Sequence, residues 1–160
     1  EVMAKALDDN PDVDFVYCNY YVVPSFGSKE GHVVDETGRE NELTSSMILG
    51  PFFMFRKSII EKSGVFDEQL IQGADYDLAL RLAFNGKGLH LPINLGYYLN
   101  EGLGQSTKPD SKQPVERTVI ELRYGIPIIE PFLVPQTRTY DVENIIVDGK
   151  KIPVRSFKND

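Results

Sequence analysis

The chain has 160 residues, 41% hydrophobic and 26% charged, with a net charge of −7 and a single cysteine, Cys18. That length suffices for one domain with its own core, and the composition is that of an ordinary globular protein. The negative balance argues against nucleic acid or anionic lipid as a nonspecific partner. No apolar run in the sequence reaches the ~20 residues of a bilayer span, and one cysteine excludes an internal disulfide or a thiolate metal cluster. Such cysteine usage fits reduced, cytoplasmic surroundings.

The first stretch, EVMAKALDDN, reads as part of a helix without a cap, stopped at Asn10-Pro11. We therefore expect these residues to be a piece of a longer chain. Asp14 to Val23, rich in β-branched and aromatic residues, predicts a strand with large side chains on both faces, hence an interior one. Its one polar intrusion, Asn19, reads as a hydrogen-bonded structural amide. His32-Val33-Val34 and Glu36 to Arg39 predict a small hairpin turning at Thr37-Gly38, with His32 a solvated surface residue. Leu43 to Leu49 predicts one or two helical turns.

Pro51 to Phe55 predicts a buried strand, followed by a helix from Arg56 through Lys62 with Gly64 at its end. Val65 is placed to pack back on that helix, and Phe66 to anchor the turn after it. Tyr76 to Asn85 predicts a helix that is apolar in nearly every direction and so packed on several sides. Asp77 and Arg81 interrupt it four residues apart, where they can pair for ~0.2–0.5 kcal/mol if exposed. Two short strands, Leu89 to Leu91 and Leu95 to Leu99, are expected around Pro92. Glu101 to Pro114 reads as a polar, mobile flap, and Val115 to Tyr124 as an amphipathic helix. Pro127, Pro131 and Pro135 keep the following chain extended, and Val142 to Arg155 predicts a hairpin turning at Asp148-Gly149.

Asp75-Tyr76-Asp77 is the candidate site, and it admits four readings. Asp75 can cap the helix. The pair can bind a divalent ion, although the helix turns the two side chains about 200° apart at ~100° per residue. A carboxylate in an apolar pocket can act as a general base, opposed by the helix N-terminus, which favours the anion. A carboxylate can also anchor sugar hydroxyls. Phosphate-binding glycine loops, nucleophile elbows, HExxH and Cys/His zinc spacings are absent from the sequence. Ser106-Thr107-Lys108 in the flap could touch a phosphate, against the ordinary alternative of a solvated loop.

Gly50 to Thr107 resembles the C-terminal half of a family 2 glycosyltransferase catalytic domain of GT-A fold. The resemblance rests on Phe55-Arg56-Lys57, Gly64-Val65-Phe66-Asp67-Glu68, Asp75-Tyr76-Asp77-Leu78 with Arg81, Gly86, Pro92, Tyr97-Tyr98 and Ser106-Thr107. Asp12 to Tyr17 is similar to the family's segment after its metal-binding DxD. The fold implied is α/β: a partial GT-A mixed sheet with packed helices over residues 1–107, with a helix and β-hairpin extension over residues 108–160. The implied activity is inverting transfer of a sugar from a nucleotide-diphospho-sugar to a carbohydrate or lipid-linked acceptor, in a setting such as bacterial polysaccharide biosynthesis. Asp75 falls at the position of the catalytic base. Gly50, Pro51, Phe52, Ala74, Asp77 and Arg81 fall at acceptor-side positions, Asp77 and Arg81 also bracing the helix, and Ser106, Thr107 and Lys108 at the flap beside the donor diphosphate.

Two departures stand out. Ala74 replaces the family's first acid, and by the resemblance neither the opening nucleotide-binding strand-loop-helix nor the DxD for the diphosphate metal is present, Asp75-Tyr76-Asp77 falling at the base position instead. The implied Mg²⁺ or Mn²⁺ would thus be held mainly outside this sequence, and these residues alone are expected not to transfer sugar. The competing expectation is a non-catalytic carbohydrate-binding or oligomerisation module. No nucleic-acid partner is expected, attachment to the inner face of a membrane is left open, and free strand edges would let two copies pair as a homodimer.

Overall fold

The computed structural model describes residues 1–105, 107–128 and 138–158. Strand β1 (Phe15–Val23) is central, and its large side chains on both faces are buried from Phe15 through Asn19. Strand β4 (Gly88–Leu99) runs parallel along one side of it, from Phe15↔Gly88 to Val23↔Leu99. On the other side β3 (Phe53–Phe55) pairs antiparallel with Phe15 to Tyr17, and β2 (His32–Val34) with Tyr20 to Val22. The result is a four-stranded mixed sheet, so the chain is of the α/β class.

Each face of β1 is covered by a helix. On one, α1 (Val2–Asp9) contributes Leu7 to a cluster with Val13 and Val16, with Met3, Ala6, Leu89 and Leu91 packed against it. Arg56 ties the end of α1 to the turn that leads into β1: its guanidinium donates to the carbonyls of Leu7, Asn10 and Val13. On the other face, α3 (Ala74–Asn85) packs Leu78, Ala79 and Leu82 against Phe15, Tyr17, Ile48, Leu49 and Ile59. A 3₁₀ turn, Lys57–Ile59, leads into α2 (Ile60–Ser63), which Gly64 ends at φ 68. Because α3 enters β4 through Gly86-Lys87, it runs back along the sheet. Its N-terminus therefore lies toward the end where the parallel strands β1 and β4 finish.

A second core joins α3 to the C-terminal part of the chain. Leu70, Tyr76 and Leu80 pack with Ile120 and Tyr124 of α4 (Gln113–Tyr124), Ile145 of β5 (Asn144–Val147), Val154 and Phe157. Strand β6 (Lys150–Pro153) pairs with β5 across Asp148-Gly149, both at positive φ (51 and 69), the backbone a two-residue I′ hairpin turn needs.

This second core encloses charge. Arg123 Nη1 donates to Asp67 Oδ2 at 2.8 Å and to Asp77 Oδ1 at 2.9 Å, while Arg81 binds Asp77 Oδ2 at 2.7 and 2.9 Å. All four side chains have 0% exposure. Tyr124 Oη donates to Asp77 Oδ1, and Arg81 Nη1 to the Ser63 carbonyl. Asp67 Oδ1 accepts from the Gln69 and Ile146 amides, and Arg123 Nη2 donates to the Asp141 carbonyl. Burial acts to lower the Arg123 pKa, but the charges of Asp77 and Asp67 and their hydrogen bonds outweigh it and raise the value.

Several expectations held and others need correction. The interior strand, the hairpin at Asp148-Gly149 and the Asp77–Arg81 pair are present. The small hairpin is not closed within residues 32–39: His32–Val34 pairs with β1, and Thr37-Gly38 forms a separate turn. The two strands around Pro92 are one, because a bulge absorbs Pro92 and Ile93 between the pairs Cys18↔Leu91 and Asn19↔Asn94. Phe66 and Val65 are exposed (52% and 42%), and the turn they begin is anchored instead by the buried carboxylate of Asp67. Of the turns expected over Leu43 to Leu49, one hydrogen-bonded turn forms at Leu43 to Ser45, continuing the 3₁₀ turn Glu40–Glu42, with the Glu42 carbonyl accepting the Ser45 and Ser46 N–H groups at 2.9 Å each. Pro131 and Pro135 lie outside the described residues.

Removing Arg123 strands two buried carboxylates. Arg123→Ala is expected to lower the unfolding free energy by about 3–5 kcal/mol, read from urea melts. A loss below about 1 kcal/mol, the scale of an exposed pair, would show that the four charges are not a unit.

Candidate active site

The head of α3 is defined by three residues before it and one from α4. The carboxylate of Glu116 accepts the backbone N–H groups of Ile71 (2.9 Å), Gln72 (2.7 Å) and Gly73 (2.7 Å). It also accepts Tyr140 Oη at 3.1 Å, and the residue is fully buried. An anion facing consecutive amides just before a helix is stabilised both by those bonds and by the helix dipole. A Cβ on Gly73 would lie 3.0 Å from Ile120 Cδ1 and 3.1 Å from Glu116 Cβ, so α4 approaches the turn closely only because Gly73 has no side chain.

The turn before the helix is thus held without Asp75. The helix cap position is Gly73, and Asp75 Oδ1 accepts the N–H of Tyr76 in the first turn, at 2.9 Å. Glu116 takes the N–H of the cap residue and Asp75 one first-turn N–H, so Asp75 is not itself the cap residue. Asp75 as a residue is exposed, yet protein crowds its carboxyl closely enough for desolvation to raise its pKa above the ordinary aspartate value, against the opposing Tyr76 N–H.

Asp77 goes the other way. Both of its oxygens are taken by Arg81, Arg123 and Tyr124 inside the core. Of the two roles carried to Asp77 and Arg81, the geometry shows bracing; with 0% side-chain exposure neither lines an acceptor pocket. The described carboxylates also do not fit a metal. Asp77 has no lone pair facing Asp75, and no group of three or more His, Cys, Asp and Glu side chains could hold an ion among the described residues.

The remaining candidates divide. Ala74 is half-buried beside Asp75 and packs on the second core. Gly50 and Phe52 serve packing: a Cβ on Gly50 would lie 2.7 Å from the Tyr20 ring, and the Phe52 ring fills the space at Gly96. Pro51, between them, is exposed. Thr107 bonds within its own turn to Gly104, and Lys108 reaches Asp110 at 3.8 Å; Ser106 lies outside the described residues. The stretch carrying them is tied to the turn before Asp75 through Gln72, which bonds Gln105 and Ser111. Asn19 is the structural amide expected: Nδ2 donates to Asp35 at 2.9 Å, and Oδ1 receives the Glu36 N–H and His90 Nε2.

Glu116, Arg123 and Gln72 were not singled out from the sequence. A signal existed for the first two. Glu116, Ile120, Arg123 and Tyr124 recur at spacings of four, three and one on a single helix stripe, so charges occupy core positions. Gln72 carried no such pattern.

No protein-family model matches the chain, and no curated protein matches it significantly. Among the described residues no helix is long and apolar enough to cross a membrane.

The raised pKa of Asp75 has a definite sign. The folded state favours the protonated acid, so wild-type stability falls as pH rises from the unfolded pKa through the folded one. Asp75→Asn is therefore expected to melt at the same temperature as wild type or higher at pH 7. That advantage should shrink as pH falls below the ordinary carboxylate range. A mutant less stable than wild type at neutral pH would show that the carboxylate supports the fold.

Proposed function

We propose that the chain is the acceptor-side part of an inverting, nucleotide-sugar-dependent glycosyltransferase of GT-A type, with Asp75 as general base. One observation carries this reading. On the side of the molecule toward which the parallel strands run, the direction in which α/β folds commonly hold ligands, Asp75 is the one carboxylate of its triplet that faces solvent. Its desolvation tunes it toward proton acceptance.

In this reaction the acceptor hydroxyl oxygen forms a bond to the anomeric carbon of the donor sugar. The bond from that carbon to the diphosphate oxygen breaks, and the nucleoside diphosphate leaves with the electron pair. Asp75 takes the hydroxyl proton. Attack from the face opposite the leaving group inverts the anomeric configuration. The resemblance assigns the donor nucleotide and its metal to other residues, and no step is routed through an ion here.

A second reading, a carbohydrate-binding module without catalysis, is favoured by one feature. Tyr97 is 72% exposed and stacks on Tyr21 with ring centroids 5.4 Å apart, a flat apolar face of the kind a sugar ring can cover.

The test uses the longest natural chain that contains these residues, assayed for nucleoside diphosphate release from nucleotide-sugars with acceptor present. Asp75→Asn is expected to lower kcat by about 10²–10⁴-fold with circular dichroism and donor binding unchanged. An unchanged rate removes Asp75 as the base. Sugar binding without any transfer, lost on Tyr97→Ala, selects the second reading.

A further inference from the structure

Arg123 leaves one N–H unspent. Its Nη atoms serve Asp67, Asp77 and the Asp141 carbonyl, but Nε, shielded from solvent, has no acceptor among the described residues. A buried guanidinium N–H without a partner is costly, because the desolvation of that donor stands uncompensated. Arg123 is also part of the wall of a cavity of about 430 Å³ where the end of α4 meets the β5–β6 hairpin and the turn after it.

The rest of that wall is of two kinds. Leu122, Val142 and Val154 make it apolar, and Arg155 and Lys158 make it basic. Neither cation is neutralised. Arg155 is exposed and has no ion pair among the described residues. Lys158 Nζ lies 6.0 Å from the centre of the Tyr124 ring, a cation–π contact that positions the ammonium without cancelling its charge. Glu143 is the one acid among the described lining residues, and it is exposed, where water and salt screen it. Arg123 is balanced by Asp67 and Asp77, so Arg155 and Lys158 leave the cavity a positive surplus over Glu143.

We propose that this cavity binds a small organic oxyanion, a phosphate ester or a carboxylate carried on an apolar body. The charged head lies between Arg155 and Lys158 and supplies the acceptor that Arg123 Nε lacks. The apolar body covers Leu122, Val142 and Val154. Guanidinium and ammonium donors hold such heads by charge-assisted hydrogen bonds, and the volume is that of a small-molecule site. The site is distinct from the head of α3. Glu116, which holds that head, and Arg123 are about two turns of α4 apart, roughly 10 Å of helix axis. It does not rest on the transferase reading. A ligand here also completes the buried cluster, because the guanidinium that binds it is the one that binds Asp77.

The experiment titrates the longest natural chain that contains these residues with phenyl phosphate, benzoate, inorganic phosphate and benzyl alcohol at constant ionic strength, reading Kd and Tm. Phenyl phosphate or benzoate is expected to bind and to raise Tm by roughly 5 °C at a hundred times Kd, and the tighter of the two identifies the head group. Inorganic phosphate is expected to bind more weakly than that probe, and benzyl alcohol not to bind. Arg155→Gln and Lys158→Gln are each expected to weaken Kd about three- to tenfold, with Arg155→Lys restoring part of the loss. A co-crystal with the tighter probe is expected to place a head-group oxygen about 3 Å from Arg123 Nε.

No binding of either organic anion overturns the site, as do affinities unmoved in both Gln variants or a head group seated elsewhere in the crystal. Benzyl alcohol binding as tightly as the anions, or inorganic phosphate binding more tightly than the organic probes, overturns the ligand class. Asp75→Asn is expected to leave these affinities unchanged, so failure of the catalytic reading and failure of this site are told apart.

Discussion

Everything around the head of α3 depends on four charges that no water reaches. Asp67, Asp77, Arg81 and Arg123 balance one another within the second core, and each is supplied by a different part of the chain or a different turn of it. Their desolvation is expensive, and mutual attraction offsets it only when every oxygen and N–H finds a partner. Here nearly all do: Tyr124, Ser63, Gln69, Ile146 and Asp141 complete the set, and Arg123 Nε alone lacks an acceptor. Such a cluster is poor as a source of stability and strong as a specifier. Any rearrangement of α4 or the hairpin relative to α3 strands a charge, so only one packing is tolerated.

Two consequences follow for the chemistry nearby. The cluster consumes Asp77, which would otherwise sit as a second acid one turn from solvent. It also fixes α4, and α4 brings Glu116 to the amides of residues 71–73. The anion that a helix N-terminus attracts is thus supplied by the protein itself. A free carboxylate at the same place need not do structural work, and Asp75 is left with one bond from a neighbouring N–H. Glu116, from a part of the chain that the resemblance does not cover, therefore fixes the turn just before the residue on which that resemblance turns.

Much of the framework was legible in the sequence because it is local. Strand β1 announces itself by β-branched and aromatic residues on both faces, the hairpin by Asp148-Gly149, and α3 by apolar recurrence in every direction. The pairing of Asp77 with Arg81 follows from a spacing of four. Its burial does not, because the groups that exclude water arrive from α4 and β5, more than forty residues away. The same holds for the capping of α3. Asp before a helix is the ordinary cap, and nothing within ten residues of Asp75 reveals that Glu116 takes the amides of residues 71–73. Long-range pairing also decided the strands. Residues 32–34 had a partner in β1 rather than in the turn beside them, and the proline that seemed to split β4 is taken up by a bulge against Cys18 and Asn19.

The triplet Asp75-Tyr76-Asp77 shows how one helix turn separates two chemically identical groups. A rotation of about 200° between them sends one carboxylate into the charge cluster and the other toward solvent. Tyr76, between them, is buried in the second core and reaches the Ser45 carbonyl at 3.4 Å, which locks the rotation of the first turn. The two acids therefore cannot exchange roles or share an ion. Asp77 is hydrogen-bonded by two arginines, while desolvation pushes the Asp75 pKa up. In this chain burial on one side of the helix takes Asp77 out of reach, and the turn of the helix leaves Asp75 at the exposed side.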